Sequence, residues 1–470
     1  MMMSKKLTLV LVCLCLVKLV YAQSSAPNII VILADDLGYA DVGFTGCKDI
    51  PTPNIDKIAK SGVVFTKAYV SYAVCGPSRA GLITGRYQDK FGFSDNPLMA
   101  PNDPTMGLPL TEQTLGDLVK QKQYSTVAIG KWHLGAHQTL RPNKRGFDEF
   151  YGFLSGGHDY LPENFIFNDL SEVKSQFDAY KANLLRNNQR VKETAYLTDA
   201  LSREAVDFVA RNNNKPFLLY LAYNAPHAPL QATKKYLDRF ENIRDVKRKT
   251  YAAMVSAMDD GIGSLLTKLD ELKLSENTII FFLSDNGGPS HVNASSNLPF
   301  RGEKGSFFEG GVHVPFAMQW KGHITAGRTY NNPVSSLDIF ATVAAVADAK
   351  PKNNLDGVNL IPFITQHNKG VPHTQLYWRN HKTNRLAVVT AETKLITEKD
   401  KKPMLFNLKN DISETNNIAE LSANQNLLKD LDLKIIQWQN LLLEPKFEGL
   451  LDDKKYTSEH PERWIIKDNK

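Results

Sequence analysis

A thiol, two pairs of oxygen donors and a set of basic side chains have the types and spacing to do chemistry in this chain. Cys75-Gly76-Pro77-Ser78-Arg79 places a cysteine just before a run that can start a helix. Pro77 is tolerated in a first helical turn, where its missing N–H has no partner. A side chain at that point faces free backbone N–H groups and the positive end of the helix dipole, and Arg79 can fold back beside it. The competing reading is a buried structural cysteine. Asp35, Asp36, Asp285 and Asn286 offer only oxygen ligands, which suits calcium or, less well, magnesium, and not zinc. Arg79, Lys131, His133, His227 and Lys304 add positive charge and proton donors. A cation with several fixed basic groups is what a tetrahedral oxyanion ester requires. Sulfate and phosphate esters both fit, and the residues alone reach as far as a metal-dependent hydrolase of an anionic ester.

The elements that must carry these residues are legible as apolar runs. Asn28 to Ala34 is continuous and β-branched, the mark of a strand buried on both faces of a parallel sheet, and Asp35-Asp36 follow at once. Ser125 to Ile129, Pro216 to Tyr223 and Thr278 to Leu283 read the same way, and they run into Lys131 and His133, His227, and Asp285-Asn286. In parallel sheets ligands bind beyond the carboxyl ends of the strands, so these residues are expected at one edge. Helices are expected over Pro53 to Lys60, over Thr111 to Lys122 with Thr111 as N-cap, over 194–211, over Tyr251 to Leu272 and over Glu420 to Leu443. Tyr151 to Arg190 reads as a long irregular region. After about residue 365 short strands with brief connections point to a small antiparallel sheet. The fold class is α/β: a large, mostly parallel central sheet flanked by helices, with a smaller C-terminal α+β subdomain. The expected units are a signal peptide (1–22), a catalytic domain (23–365) and a C-terminal subdomain (366–470).

Residues 1–22 have the form of a secretory signal: Lys5 and Lys6, an apolar core from Leu7 to Val17, and Val20-Tyr21-Ala22 as a cleavage site. The core is too short to span a membrane and Lys18 interrupts it. Cleavage removes three lysines and two of four cysteines, so the formal charge falls from +6 to +3 and Cys47 and Cys75 remain. Two cysteines do not make a disulfide scaffold; a Cys47–Cys75 bridge is the structural alternative to a reactive Cys75. No basic-aromatic interleaving points to nucleic acid.

Cys75-Gly76-Pro77-Ser78-Arg79, continuing through Leu82, Thr84, Gly85 and Arg86, resembles the signature of the type I, formylglycine-dependent sulfatases of the alkaline phosphatase-like superfamily. Asp35-Asp36, Gly130-Lys131-Trp132-His133, Pro226-His227-Ala228-Pro229, Asp285-Asn286-Gly287 and Gly302-Glu303-Lys304-Gly305 follow the same pattern in order. The resemblance implies that a maturation enzyme oxidises Cys75 to formylglycine, whose hydrate is the nucleophile. It implies one Ca2+ held by Asp35, Asp36, residue 75, Asp285 and Asn286. It further implies sulfate binding by Lys131 and Lys304, orientation by Arg79, a general acid in His227 and a base in His133. Ser155 resembles a family serine near the sulfate, and His158, Asp159, His291 and Arg301 are candidate sugar contacts. The expected protein is a periplasmic or secreted sulfatase acting on sulfated carbohydrate, such as the algal polymers ulvan, carrageenan or fucoidan. The rivals are a formylglycine-using phosphonate monoester or phosphodiester hydrolase and a catalytically dead sulfoglycan-binding protein.

Overall fold

The computed structural model describes residues 26–168, 170–173 and 175–464; the expected signal peptide lies outside them. Sixteen strands form three sheets: β1 (Asn28–Ala34), β2 (Val63–Phe65), β3 (Ala68–Tyr69), β4 (Ser125–Lys131), β5 (Glu149–Phe153), β6 (Leu184–Arg186), β7 (Gln189–Val191), β8 (Phe217–Ala222), β9 (Thr278–Ser284), β10 (Phe316–Trp320), β11 (Arg328–Tyr330), β12 (Val334–Ser335), β13 (Leu376–Asn380), β14 (Arg385–Val389), β15 (Thr393–Glu398) and β16 (Met404–Asn407). The main sheet has ten strands in the order β11-β2-β10-β9-β1-β8-β4-β5-β6-β7. Its centre, β9-β1-β8-β4-β5, is wholly parallel. β10 runs antiparallel beside β9, and β6 and β7 form an antiparallel margin.

The continuous apolar runs follow from cover on both faces. Alternate residues Ile29, Val31 and Leu33 of β1 pack with Ala80, Leu118 and Phe340 from the helices Cys75–Thr84, Leu115–Lys120 and Asp338–Val346. Ile30 and Ile32 pack on the other face with Ile55, Leu201 and Met258 from the helices Pro53–Lys60, Leu197–Arg211 and Val246–Glu271. Each such side chain contributes about 1.5–3 kcal/mol by leaving water. The expected stripe Met254, Met258, Ile262 and Leu266 is core. Of the five expected helices only Pro53–Lys60 starts in its expected place; the others start at Leu115, Leu197, Val246 and Gln425. The second of them is confined to Leu115–Lys120, because Thr114 and Asp117 close a capping box three residues beyond Thr111. Among the described residues no helix is long and apolar enough to cross a membrane. Cys47 and Cys75 are both free, so the bridge between them does not exist.

β13 to β16 form a four-stranded antiparallel sheet. One face packs on Tyr69, Tyr72, Phe307 and Val312 of the main body. The other receives Leu431 and Ile435 of the helix Gln425–Gln439. The charged C-terminal stretch wraps back: Arg463 is buried, and its guanidinium donates to Met99 O at 2.8 Å and Gln176 Oε1 at 2.6 Å. Between the small sheet and the main body lies an ion cluster closed to water. Lys394 Nζ on β15 donates to Glu309 Oε1 at 2.7 Å and lies 3.4 Å from Glu414 Oε1; all three residues have zero exposure. Tyr69 Oη donates to Glu309 Oε2 at 2.9 Å, and Glu309 N donates to Glu414 Oε2 at 2.6 Å. Against its burial, Lys394 and His313 hold Glu309 down to about 2. Burial, with Lys394 opposing it and Glu309 adding to it, pushes Glu414 up to about 7.

Glu414 thus keeps a proton in the folded protein that the unfolded chain gives up near its ordinary value of 4.5, and stability falls as pH rises through that window. Glu414→Gln, which keeps an acceptor without the charge, is expected to raise the melting temperature at pH 8 and change it little at pH 4.5. Thermal unfolding followed across this range checks the sign.

Candidate active site

Parallel pairing brings the chemistry to one edge. Ala34 is paired with Ser284, Leu33 with Ala222, and Ala222 with Gly130, so β1, β9, β8 and β4 end together. Asp35 and Asp36 leave β1 there, Asp285 and Asn286 leave β9, and Lys131 closes β4. Gly130 lets the strands close up at this point: with φ at 98°, an added Cβ would lie 1.9 Å from Ala222 O. Cys75 is the first residue of its helix and is 2% exposed. Asn96 Oδ1 secures that end by accepting from Gly76 N at 2.7 Å.

The distances define a compact cluster. Lys304 Nζ donates to Asp36 Oδ2 at 2.8 Å and to Cys75 Sγ at 3.1 Å. Lys131 Nζ donates to Asp35 Oδ2 at 2.7 Å. Arg79 Nε donates to Asp285 Oδ2 at 2.9 Å and Nη1 to Lys131 O at 3.0 Å. The Cys75 thiol lies 3.5 Å from Asp35 Oδ1, and His227 Nε2 lies 3.6 Å from Asp36 Oδ2. Gly156 packs against the His133 ring, where a Cβ would lie 2.8 Å from Nε2. Asp36 and His133 have φ of 63° and 57°, a region non-glycine residues seldom adopt and one that recurs at functional sites.

The electrostatics divide these groups. Burial would raise Asp36, but Lys304, His227 and Lys131 outweigh it and hold the carboxyl down to about 2. Burial and then the charge of Asp35 push Asp285 up to about 6, against Arg79. Burial likewise pushes the Cys75 thiol up to about 12, in spite of Lys131 and Lys304. This runs against the expectation drawn from its helix N-terminus: desolvation outweighs both lysines. Burial keeps His227 neutral, lowered to about 3 with Asp36 opposing the shift; burial, and then Lys131 and Arg79, lower His133 well below its ordinary value.

The donor set fits a divalent cation. Ligand atoms of Asp35, Asp36, Cys75 and Asp285 lie within 4.8 Å of one another. Asn286 Oδ1 is buried with no hydrogen-bond partner among the described residues, while its Nδ2 donates to Asp36 Oδ1 at 2.6 Å. An orphaned carbonyl beside three carboxylates is costly unless a cation meets it. Asp35, Asp36 and Asp285 balance Arg79, Lys131 and Lys304 in charge, so a bound divalent ion leaves the pocket positive and ready for an anion.

The other candidate residues divide. Ser155 is buried and donates to Gly157 O at 2.7 Å. Asp159 is almost buried near Lys181, with burial raising its carboxyl. His291 is exposed, its Nδ1 2.7 Å from Glu303 Oε1. One expectation fails on geometry. His158 has zero exposure and its ring nitrogens sit 2.7 Å from Asp159 O and 2.8 Å from Ala182 O, so it braces the loop and cannot meet a sugar. Arg301 turns to the C-terminal subdomain, donating to Glu414 O at 2.8 Å and stacking 4.1 Å from the Phe308 ring centre. Tyr180, unremarked in the sequence, packs over Gly157 beside His227. It sits in the irregular region, where no periodicity marks a contact.

A mostly parallel sheet with an acidic, cation-ready cluster at its carboxyl edge places the molecule among the alkaline phosphatase-like α/β proteins. Within that class the chain belongs to the sulfatase family: the model described as Sulfatase matches residues 27–349, and that of N-sulphoglucosamine sulphohydrolase, C-terminal, matches 302–440. N-acetylgalactosamine-6-sulfatase of Homo sapiens is 35% identical over 356 residues, covering 72% of this chain and 66% of its own, so the match spans just under two-thirds of that relative. The crystal structure of Ps i-CgsB in complex with k-i-k-neocarrahexaose superposes with TM-score 0.86 at 41% identity, covering 94% of this chain and 98% of that one. The phosphonate monoester hydrolase of Agrobacterium radiobacter shares the fold, with TM-score 0.66 at 18% identity over 89% of this chain and 96% of its own.

Gly156→Ala is expected to displace the His133 ring and lower turnover about tenfold or more, with the melting temperature little changed. Steady-state kinetics beside a melting curve check it.

Proposed function

We propose that this protein is an exported hydrolase of sulfate esters on sulfated polysaccharide of the carrageenan type. In this reading residue 75 works as formylglycine made from the cysteine, and one Ca2+ is held by Asp35, Asp36, Asp285, Asn286 and residue 75. The observation that carries the reading is the placement of Cys75: it starts a helix, its Sγ lies 3.1 Å from Lys304 Nζ and 3.5 Å from Asp35 Oδ1, and it falls within 4.8 Å of the ligand atoms of Asp35, Asp36 and Asp285. In a sulfatase that is the place for a formylglycine made from the cysteine. Because residue 75 is 2% exposed, a maturation enzyme must act on this segment before it folds. The 41% identity to Ps i-CgsB across nearly the whole chain supports the carrageenan substrate. The N-terminal signal supports export to the periplasm or beyond.

When present, the aldehyde hydrate supplies an oxygen nucleophile and the cation lowers its pKa. The chain's own groups do the rest. Lys131 and Lys304 bind sulfate oxygens and offset the charge that develops on them. Arg79, pinned to Asp285 and to Lys131 O, fixes the edge on which residue 75 stands. His227 Nδ1–H donates to Ala228 O at 2.5 Å, which leaves Nε2 as the nitrogen facing the cluster; the neutral ring carries no proton there, so His227 acts as the general acid only once the anionic substrate has drawn a proton onto Nε2. His133 has a buried Nδ1 with no partner among the described residues and serves as the second proton acceptor.

Protein co-expressed with a maturation enzyme is expected to release sulfate from an aryl sulfate and from k-i-k-neocarrahexaose. Preference for an aryl phosphate or a phosphodiester over sulfate would overturn the reading; tight glycan binding without sulfate release would indicate a binding protein. Cys75→Ala is expected to abolish release with near-normal folding, and mass spectrometry of the peptide carrying residue 75 reports conversion. Chelation is expected to lower both activity and melting temperature, with Ca2+ restoring both. Asp36→Asn is expected to remove the Ca2+ effect on melting.

A further inference from the structure

The charged floor accounts for a sulfate group and its cation but not for the sugar that bears them. Tyr180 stands on the way out of that floor. A Cβ added to Gly157 would lie 2.8 Å from Tyr180 Cε2 and 3.1 Å from His227 Cε1, so the two rings flank one point. Tyr180 is itself half-buried. Its hydroxyl has no hydrogen bond to any described residue. Phe177 lies one step further out, edge-on to Tyr180 with ring centres 5.7 Å apart and an interplanar angle of 77°.

Phe177 is 66% exposed, although its neighbours Gln176 and Ala179 are 5% and 3% exposed. The backbone under it is fixed. Tyr180 N donates to Phe177 O at 3.1 Å and Asp178 N to Ser175 O at 3.1 Å. Gln176 Oε1 accepts from Met99 N at 2.9 Å and from Arg463 Nη2 at 2.6 Å. Phe177, held out of the core by this anchored turn, and the Tyr180 ring it touches present two adjacent aromatic faces beside the cluster. Pyranose rings present weakly positive C–H faces, which suit the negative face of an aromatic ring.

We infer that Phe177 and Tyr180 form a two-ring step for the sulfated chain. Tyr180 lies beside the sugar that carries the scissile ester and hydrogen-bonds one of its hydroxyls, and Phe177 supports the next ring. The step sets specificity for an oligosaccharide over a small aryl ester. The inference rests on the sulfatase reading. Kinetics on k-i-k-neocarrahexaose and p-nitrophenyl sulfate test it. Phe177→Ala is expected to raise KM for the hexasaccharide about tenfold with kcat within about twofold, and to lower the hexasaccharide-to-aryl ratio of kcat/KM by a similar factor. Phe177→Trp is expected to restore most of that ratio, and Tyr180→Phe to lower kcat/KM on the hexasaccharide about fivefold. An unchanged ratio in Phe177→Ala, or a loss shared equally by both substrates and not rescued by Trp, overturns the inference. If the wild type released no sulfate, the sulfatase reading would fall on its own. Titration of the hexasaccharide into Cys75→Ala, with and without Phe177→Ala, then still decides the step. A weaker Kd without Phe177 upholds it; no binding, or equal Kd values, overturns it.

Discussion

Three buried carboxylates at the carboxyl ends of two adjacent strands are the constraint on which the rest of this molecule depends. Asp35, Asp36 and Asp285 are all at most 2% exposed. Charge in so dry a place costs several kcal/mol per group unless it is paired and hydrogen-bonded. The pairing comes from three directions: Arg79 from a helix, Lys131 from the end of a strand and Lys304 from a loop. No one of these elements can move without leaving a carboxylate exposed to low dielectric alone. The parallel sheet is what makes the convergence possible, because β1, β4, β8 and β9 all end at the same edge.

The same arrangement explains why the central thiol is quiet. A helix N-terminus and two lysines would ordinarily favour a thiolate, but burial outweighs them, and the nearby carboxylates of Asp285 and Asp35 add to it. The left-handed backbone at Asp36 and His133 shows that positioning here outranks local preference.

Much of this was legible in the amino-acid order. Strands buried on both faces are written as unbroken apolar runs, so β1, β4, β8 and β9 and the polar residues that end them could be read directly. Alternation of Ile29, Val31 and Leu33 with Ile30 and Ile32 between two cores cannot be read, since every position is apolar. The helix near residue 115 was displaced because Thr111 and Thr114 are both plausible caps, and only Thr114 has Asp117 at the right spacing. His158 looks like a sugar contact by residue type; its partner, the carbonyl of Ala182, lies far off in the chain and no local pattern announces it. Tyr180 and Phe177 were invisible for the same reason: the irregular region has no period, and its anchors at Met99 and Arg463 lie far off in the chain.

The sealed ion cluster under the small sheet has a consequence for how such chains can be recombined. Glu309 follows the Lys304 loop, and its buried charge is matched by Lys394 from β15, in the other structural unit. The small sheet and the main body therefore share one buried charge cluster. A chimera that grafted a foreign C-terminal sheet onto this body would need the matching lysine at the matching height. Without it the fault would show in the loop that carries Lys304, and so be mistaken for damage to the catalytic cluster.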